Sequence, residues 1–542
     1  MRFEQRISAC LRRITALTLS ACLFGSGLQV SASGQAQAAQ PALPQQTIGT
    51  SAQGGSALRI GQDEAVRMAL ENNLGVQAER LNPQIQEFGV ARALAAYTPE
   101  LVASTARTSN TSPPTEFLQS GVAVTTSTNF ISDAGVQQAL PWGGAYQVGL
   151  TGARRTTDAP RSVFSPQLNS DFSAVYSQPL LRGFLIDSNR QAILQSRNQQ
   201  EIVDIQLRER ITQTSRTVRN AYLSLVAAIA GLEVARQSLD IAQQQLQNNE
   251  RRVEVGTIAP IENVSARAEV ARTEEGVIVA EGEIESARDQ LRTLIMNPSQ
   301  PDFWTVQLEP AEQPVLTPQP IDIQAATTNA LANRTDIAEL RKQLESADLD
   351  IRFNKNSRLP AVDLQARYGM TGVGGTQFFY EGAPPTDGSV PLPSGSVQRS
   401  FGDVLRDVFG NDFNNWSVSL NVSYPVGTSA AEAALAQSRL RRQQGQTSMR
   451  ELEMEIARQV REAARQVQTS LKRVESTQKA RELAEQQLQA EEKRVAVGLS
   501  DTFRAVQAQR DLAVQKRAEL NAIISYNRAL IDFEAVQTVP VR

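Results

Sequence analysis

The chain contains two copies of one sequence pattern, and this duplication constrains the fold more than any other feature. Gln195-Ser196-Arg197 in the first half recurs as Gln437-Ser438-Arg439 in the second half, 242 residues later. Arg252-Val253 recurs as Arg494-Val495 at the same spacing. Each copy reads as a short helix, alternating strands, a very long helix, a glycine-marked turn and a return helix. Repetition of such units predicts one body built from two similar halves.

Composition excludes several classes of function. The 542 residues include 54 basic and 57 acidic side chains, so no general basic surface for nucleic acid is expected. The chain has no histidine, which removes Ser-His-Asp and Cys-His catalysis and every histidine-ligated metal site. Acidic pairs such as Glu274-Glu275 lie side by side on a helical pattern and do not converge in a cleft. We therefore expect no catalytic residues, no cofactor and no metal.

The first 38 residues have the pattern of a secretory signal. Arg6, Arg12 and Arg13 precede an apolar run from Ile14 to Phe24, and Ala36-Gln37-Ala38 offers a small-x-small cleavage site. A second interpretation stays open, because Leu19-Ser20-Ala21-Cys22 has the form of a lipobox in which Cys22 is lipidated. Either leader takes the chain out of the cytoplasm. No uninterrupted apolar stretch of spanning length follows, so a chain that crosses a bilayer must do so as a closed barrel.

Between the short and the long helix of each copy, the sequence changes to a period of two. From Trp416 to Tyr424 every even position is apolar or aromatic, and every odd position is Ser or Asn. The two aromatic residues are eight steps apart, about 26 Å along a strand, which matches the apolar band of an outer-membrane strand. We therefore predict that Trp416 and Tyr424 form a membrane girdle. A soluble half-buried sheet is the alternative, since one such strand does not distinguish the two.

The number of strands in repeat 1 stays open. Repeat 1 carries about 80 residues between Pro99 and Pro179, whereas repeat 2 carries about 65 between Pro360 and Pro425. The extra length includes Phe130–Thr157, which could form another hairpin.

Two very long helices follow the strands. Neither 187–255 nor 429–497 contains a proline, so each predicts about 100 Å of continuous helix. Apolar residues recur every seven positions and form a coiled-coil seam. They are Val218, Leu225, Leu232, Leu239, Leu246 and Val253 in the first copy, and Val460, Val467, Val474, Leu488 and Val495 in the second, where Arg481 interrupts the series. The helices end at Gly256 and Gly498, which suit the left-handed conformation of a helix cap.

These signals divide the chain into two repeats and their connections. The first helix of repeat 1 is expected to begin with Asp63 as its cap and to end before Pro99. Six prolines between 298 and 320 predict a non-helical surface crossover midway along the helices. The predicted segments are a signal peptide (1–38), a linker (39–58), repeat 1 (59–298, with strands at about 99–179, a long helix at 187–255 and a return helix at 260–296), the crossover (299–321), repeat 2 (322–537, with strands at about 360–425, a long helix at 429–497 and a return helix at 501–536) and a tail (538–542).

The order of these features resembles the TolC-like outer-membrane efflux protein family, from about Leu58 to Val536. The strand-to-helix corners that carry the resemblance are Gln178-Pro179-Leu180-Leu181-Arg182-Gly183 and Tyr424-Pro425-Val426-Gly427. The helix ends that carry it are Arg252-Val253-Glu254-Val255-Gly256, followed by Val264-Ser265-Ala266-Arg267-Ala268, and Arg494-Val495-Ala496-Val497-Gly498, followed by Val506-Gln507-Ala508-Gln509.

The resemblance implies a mainly α fold with membrane β-structure. Long coiled-coil helices would form an α-barrel, and four strands per subunit would contribute to a twelve-stranded β-barrel shared by a homotrimer. The implied function is an outer-membrane channel-tunnel of an efflux or secretion system, which conducts substrates passively across the periplasm and the outer-membrane lipid. A periplasmic adaptor protein and an inner-membrane pump would dock at the helix tips. The tip residues are Arg252, Val253, Gly256, Arg494, Val495 and Gly498.

One position departs from the family pattern. Members with a narrow periplasmic gate carry acidic residues six and nine positions after the second tip glycine, where this chain has Arg504 and Gln507. Six positions after the first tip glycine is Glu262, which matches. We hypothesise that Glu262 and Arg504 pair across adjacent hairpins as a replacement latch. The alternative is two solvated surface charges, because exposed pairs contribute only about 0–1 kcal/mol.

A non-channel periplasmic coiled-coil scaffold or adaptor is the alternative function. It explains the long helices but leaves the alternating strand from Trp416 to Tyr424 unexplained.

Overall fold

The structure is a computed structural model that describes residues 57–113, 124–159, 162–312, 316–380, 393–427, 429–497, 499–500 and 502–537. The predicted signal peptide with Cys22, residues 39–56 of the predicted linker, Gly498 and the predicted tail lie outside the described residues. The elements run in the order β1 (Ala57–Ile60), α1 (Gln62–Asn72), α2 (Leu74–Leu94), β2 (Glu100–Ser112), β3 (Thr125–Ala139), β4 (Ala145–Thr157), β5 (Phe164–Pro179), α3 (Ser188–Glu254), α4 (Ile261–Ile295), β6 (Gln307–Pro310), α5 (Ile323–Asn333), α6 (Thr335–Ser357), β7 (Ala361–Phe379), β8 (Gly395–Arg399), α7 (Phe401–Gly410), β9 (Asn414–Ser423), α8 (Ala430–Ala496) and α9 (Thr502–Val536).

The long helices and the return helices have matched lengths in the two halves. α3 and α8 each have 67 residues, and α4 and α9 each have 35. Both long helices begin at a side-chain cap: Asp187 accepts a hydrogen bond from the backbone N–H of Arg190, and Ser429 accepts one from that of Glu432. Because neither helix contains proline, the backbone hydrogen bonds continue without a break.

The heptad seam forms the core of the helical part. The buried members of the series are Val218, Leu225, Leu232, Val460, Val467, Val474 and Leu488. Leu239 and Leu246, nearer the tip, are only half-buried within one chain. Arg481 is accommodated in the seam by ion pairs with Glu485 (3.2 Å) and Glu519 (2.6 Å). The seam therefore packs each long helix against its neighbours and leaves further contact surface towards the tips.

Four helices lie side by side at each level of the helical part. Nearer the sheet the order is α2-α3-α6-α8, and nearer the tips it is α4-α3-α9-α8. α3 contains one 18-residue window with a mean hydropathy of 1.3, which satisfies a membrane-span criterion by composition, and 39 % of that window is buried. Because α3 packs against α1, α4 and α9, we assign this helix to the core of the bundle.

Each predicted short helix is two helices in the structure. The first copy breaks at Asn73, whose side chain accepts hydrogen bonds from the backbone N–H groups of Gly75 and Val76 and so caps α2. The second copy breaks at Arg334, between α5 and α6. The prediction of Asp63 as the cap of the first helix was wrong, since α1 begins after Gly61, which makes no side-chain cap.

The crossover is more structured than the sequence predicted. Its residues Gln307–Pro310 form β6, which pairs in parallel with Ala57–Ile60, so residues 57 and 58 of the predicted linker belong to a strand. Leu308 is completely buried, which corrects the prediction of a surface segment. Two buried tyrosines anchor the flanking chain: the hydroxyl of Tyr222 accepts a hydrogen bond from the N–H of Glu312, and that of Tyr526 accepts one from the N–H of Gln319. Burial raises the pKa of the Tyr222 hydroxyl.

The strands form one antiparallel sheet in the order β2-β3-β4-β5-β7, after which β7 pairs with β9 along one half and with β8 along the other. The prediction of four strands per subunit is therefore wrong, because the sheet has six strand positions among the described residues. The additional pair is the hairpin β3–β4, whose turn is closed by a hydrogen bond from Leu140 N–H to the Gly144 carbonyl. It occupies the extra length that repeat 1 carries between Pro99 and Pro179, where the sequence left a further hairpin at Phe130–Thr157 open.

Candidate functional site: the two-faced sheet and the helix tips

The register of the sheet gives it one continuous apolar face. Trp416 lies opposite Tyr368, Tyr368 opposite Ala174, and Ala174 opposite Val148. Residues two apart on a strand share a face, so neighbouring rows extend the same surface. Its apolar members include Leu101, Ala103, Ala134, Val136, Leu150, Phe172, Val362, Leu364, Ala366, Met370, Val418, Leu420 and Val422. We call this surface the apolar face.

The opposite face is polar and hydrogen-bonded across the strands. Asp133 accepts hydrogen bonds from the hydroxyls of Ser104 (3.0 Å) and Thr151 (2.7 Å), on its two neighbouring strands. Asp171 accepts one from the hydroxyl of Thr371 (2.9 Å). The same face carries Glu100, Gln137, Gln147, Asp363, Gln365, Arg367, Ser417, Ser419 and Asn421. A sheet with one apolar and one charged face can separate hydrocarbon from water.

Aromatic residues flank the aliphatic residues of β9 on the apolar face. The predicted girdle residues Trp416 and Tyr424 lie near the two ends of β9 and are 73 % and 61 % exposed. The register adds Tyr368 beside Trp416, and it pairs Tyr146 with Tyr176 nearer the helices. Sequence reasoning missed these additions, because their strands alternate less regularly and only the register brings them into rows. The girdle role of all these residues is a prediction.

The first helix tip has the hydrogen bonds of a Schellman motif. Thr257 N–H donates to the carbonyl of Arg252 (2.8 Å), and Gly256 N–H donates to the carbonyl of Val253 (3.0 Å). Gly256 has φ +73°, a left-handed conformation that L side chains rarely adopt. At the second tip, Leu499 N–H donates to the carbonyl of Arg494 (2.8 Å). The two copies therefore end their long helices with the same main-chain bond.

The gate residues lie at the starts of the return helices. Glu262 is in the first turn of α4, while Arg504 and Gln507 are exposed on α9. Gln507 donates a hydrogen bond to Asp511 (3.0 Å) on its own helix. Whether Glu262 and Arg504 pair with each other stays a prediction.

An ion pair that the sequence did not predict joins the two return helices, further from the tips than the gate residues. Arg510 Nε on α9 donates a hydrogen bond to Glu269 Oε1 on α4, at 2.9 Å. The Glu269 side chain is 11 % exposed and that of Arg510 is 37 % exposed. The hydrogen bond to Glu269 raises the pKa of Arg510. The pair lies on the same helices as Glu262 and Arg504, seven and six residues further from the tips, so it can hold one hairpin against the other.

Comparison with known proteins identifies the family. A family model for outer membrane efflux proteins matches residues 147–296 and 326–536. The chain belongs to the outer membrane efflux protein family. It is an efflux protein of the outer membrane. The apolar and polar faces are consistent with this place in the cell, whereas a non-channel scaffold leaves them unexplained.

Solved structures of channels have the same fold. The chain is 16 % identical to the outer-membrane channel OprN, with a TM-score of 0.62 over 88 % of this chain and 89 % of that one. It is 17 % identical to the open state of the MtrE channel of Neisseria gonorrhoeae (TM-score 0.59; 92 % of this chain, 97 % of that one). It is 15 % identical to the outer membrane protein VceC of Vibrio cholerae, with a TM-score of 0.59 over 88 % of this chain and 96 % of that one. No curated protein sequence matches the chain.

Among the described residues of this protein, no group of three or more His, Cys, Asp or Glu residues is placed so that it could bind a metal ion. The two-faced sheet suits conduction, and the two similar helix tips suit contact with other proteins.

Proposed function

We propose that three copies of this chain assemble into one tunnel that conducts substrates passively from a periplasmic adaptor and an inner-membrane pump through the outer membrane. The observation that carries this proposal is the sheet, which has an apolar face, a polar face and two edges that no described strand pairs with. An open sheet edge cannot stay within hydrocarbon, because its N–H and C=O groups find no partners there. The edges therefore require pairing with further copies.

The directions of the edge strands permit this closure. Each neighbouring pair in β2-β3-β4-β5-β7-β9 is antiparallel, so β2 and β9 run in opposite directions. β9 of one copy can then pair antiparallel with β2 of the next. Three copies with six strand positions each give a barrel of eighteen strands, and the twelve-stranded barrel expected from the family resemblance is not retained.

The helices support an eighteen-stranded barrel by their size. Four helices abreast in each of three copies, at interaxial distances of 8–10 Å, give a tunnel circumference of about 100–120 Å. Eighteen strands spaced about 4.8 Å apart and tilted by about 40° give about 110 Å. Twelve strands at the same tilt give about 75 Å. The wider barrel continues the helical tunnel with little change of diameter.

The helix tips are the proposed docking site for the adaptor and the pump. Arg252, Val253 and Gly256 in the first copy have Arg494, Val495 and Gly498 as their counterparts in the second. The matching main-chain bonds at Arg252 and Arg494 support two equivalent binding surfaces per subunit, hence six in a trimer. The Glu262–Arg504 latch is proposed to lie at the periplasmic mouth. Gln507 replaces an acidic gate residue and reduces cation binding there.

Reconstitution into planar bilayers tests the channel proposal. The purified full-length protein is expected to run as a trimer that dissociates on heating and to insert as a water-filled pore with ohmic conductance. The charge-changing variants Asp133→Asn and Asp171→Asn lie on the polar face and are expected to lower the preference of the pore for cations. A protein that remains monomeric, or inserts without conductance, contradicts the proposal.

A further inference from the structure

Two arginines lie on the apolar face just beyond its aliphatic rows. Arg107 on β2 lies opposite Phe130 on β3, and Phe130 lies opposite Arg154 on β4. The two arginine backbones are therefore two strands apart, about 10 Å. Both are exposed. Within the described part of the chain, no hydrogen bond or ion pair engages either guanidinium.

The neighbouring arginine, which lies on the polar face, does have a partner. Arg155 points to the polar face, and its Nε donates a hydrogen bond to the hydroxyl of Ser127 at 3.1 Å. Arg154, one residue earlier, stands on the face that carries the apolar rows. A cation at the edge of hydrocarbon is stabilised when it pairs with an anion, and a guanidinium binds phosphate with two parallel hydrogen bonds.

Apolar residues lie further along the same strands, beyond one row formed by Thr105, Ser132 and Gly152. Four and six residues before Arg107 are Ala103 and Leu101, on the same face, and Leu101 is 78 % exposed. On β4 the corresponding apolar residue is Leu150, four residues before Arg154. The four-residue step is about 13 Å along the strand. Cationic groups followed by an exposed aliphatic strip complement an amphipathic anion, whose charged head lies at the arginines and whose chains lie on the strip.

The helix α7 borders this surface on its other side. Gly152 shares the face and lies between Leu150 and Arg154, and a Cβ built there would be 3.4 Å from the ring of Phe401. The small residues beneath α7 let it approach closely: Ser170 is completely buried, and a Cβ at Gly372 would meet the Val404 carbonyl. α7 therefore forms a fixed wall beside Arg154.

We propose that Arg107 and Arg154 bind the phosphorylated headgroup of an outer-leaflet lipid, with its acyl chains on the strip formed by Leu101, Ala103 and Leu150. The proposal rests on the outer-membrane placement of the sheet with its apolar face outward. Phe130, between the two arginines, contacts the base of the headgroup. The bound lipid supplies a counter-charge for the two guanidinium groups, which have no ion pair among the described residues.

Lipid titration of the purified full-length trimer in detergent tests the site. The probe is lipid A, a phosphorylated and acylated lipid, and binding is counted by native mass spectrometry. The double variant Arg107→Gln/Arg154→Gln is expected to weaken binding about tenfold, and Arg107→Lys/Arg154→Lys is expected to lose less because it keeps both charges. The matched control Arg155→Gln, on the polar face, is expected to bind like the unaltered protein. Equal binding by the Gln double variant overturns the proposal.

Competition distinguishes the source of the anion. Inorganic phosphate in large excess is expected to displace little lipid A, because it cannot use the aliphatic strip, and complete displacement would show a free-anion site. Phosphatidylcholine binding as tightly as lipid A would show a strip without headgroup recognition and would also overturn the proposal. Bilayer conductance of the Gln double variant is expected to be unchanged, so a loss of lipid binding with normal conductance separates this site from the channel function.

Discussion

The ion pair between Arg510 and Glu269 gives a quantitative prediction about the helix tips. Arg510→Gln removes the charge-assisted hydrogen bond between α9 and α4 while keeping a side chain of similar length. The mostly buried Glu269 carboxylate then loses its nearer cation, and the guanidinium of Arg272 on the same helix lies 4.0 Å away. The free energy of such a partly buried pair is between that of an exposed ion pair and that of a buried charge-assisted hydrogen bond. Its loss therefore costs about 1–2 kcal/mol.

A cost of this size has a defined effect on local opening of the hairpins. At 25 °C it corresponds to about a 5- to 30-fold larger opening constant for the tip region. Hydrogen exchange of the detergent-solubilised trimer, followed by mass spectrometry, measures this change. Peptides from the first halves of α4 and α9 are expected to exchange faster by that factor, and peptides of β5 and β7 are expected to be unaffected.

A second pair on the same helices provides the control. Arg517 lies 3.6 Å from Glu283, and these side chains are 64 % and 49 % exposed. Because an exposed pair contributes little, Arg517→Gln is expected to change tip exchange by less than about twofold. Equal exchange rates in the Arg510→Gln and Arg517→Gln variants would refute the assignment of Arg510–Glu269 as the link between the hairpins.

Three further predictions address the gate, the sheet and pH. Arg504→Glu breaks the proposed latch and places an acidic residue at each mouth position, so the open probability of single channels is expected to change; an unchanged value would eliminate the latch. Gly372→Ala places a Cβ 2.3 Å from the Val404 carbonyl and is expected to destabilise the docking of α7 by about 1–3 kcal/mol, seen as a lower thermal midpoint of the trimer, whereas Gly395→Ala, with open space around its Cβ, is the silent control. The hydrogen bonds from Arg458 and Gln459 lower the pKa of Glu455 from 4.5 to about 2. The ionised carboxylate therefore stabilises α8 above pH 4.5, and this stabilisation is lost as the pH falls towards 2. Hydrogen exchange around Glu455 is expected to become faster between these pH values, and Glu455→Gln is expected to remove the pH dependence.

The sequence predicts the helical part well because its signals are local. The heptad residues Val218 and Val460 are both buried, and the glycine at 256 adopts the positive φ that a helix cap requires. A period of seven over many turns and a glycine after a long helix depend only on neighbouring residues. The same holds for the alternation from Trp416 to Tyr424, which lies in β9 and the residue after it.

The parts that the sequence did not reveal depend on pairing over long distances. β1 and β6 are separated by almost 250 residues and pair through main-chain groups, so neither has a strong pattern of its own. Arg510 and Glu269 lie 241 residues apart and are two of many charged residues on helix surfaces. The hairpin β3–β4 stayed open in the sequence because it alternates poorly: Ser132, Gln138, Gly152 and Arg154 occupy outward positions. The strand number of the barrel depends on this hairpin.

A cross-section of the membrane part, determined by electron cryomicroscopy of the purified full-length protein in lipid nanodiscs, tests the central claim most directly. We expect a three-fold symmetric barrel of eighteen antiparallel strands, closed where β9 of each subunit pairs with β2 of the next. A barrel of twelve strands, or a particle in which β2 and β9 have no partner from another copy, would contradict it.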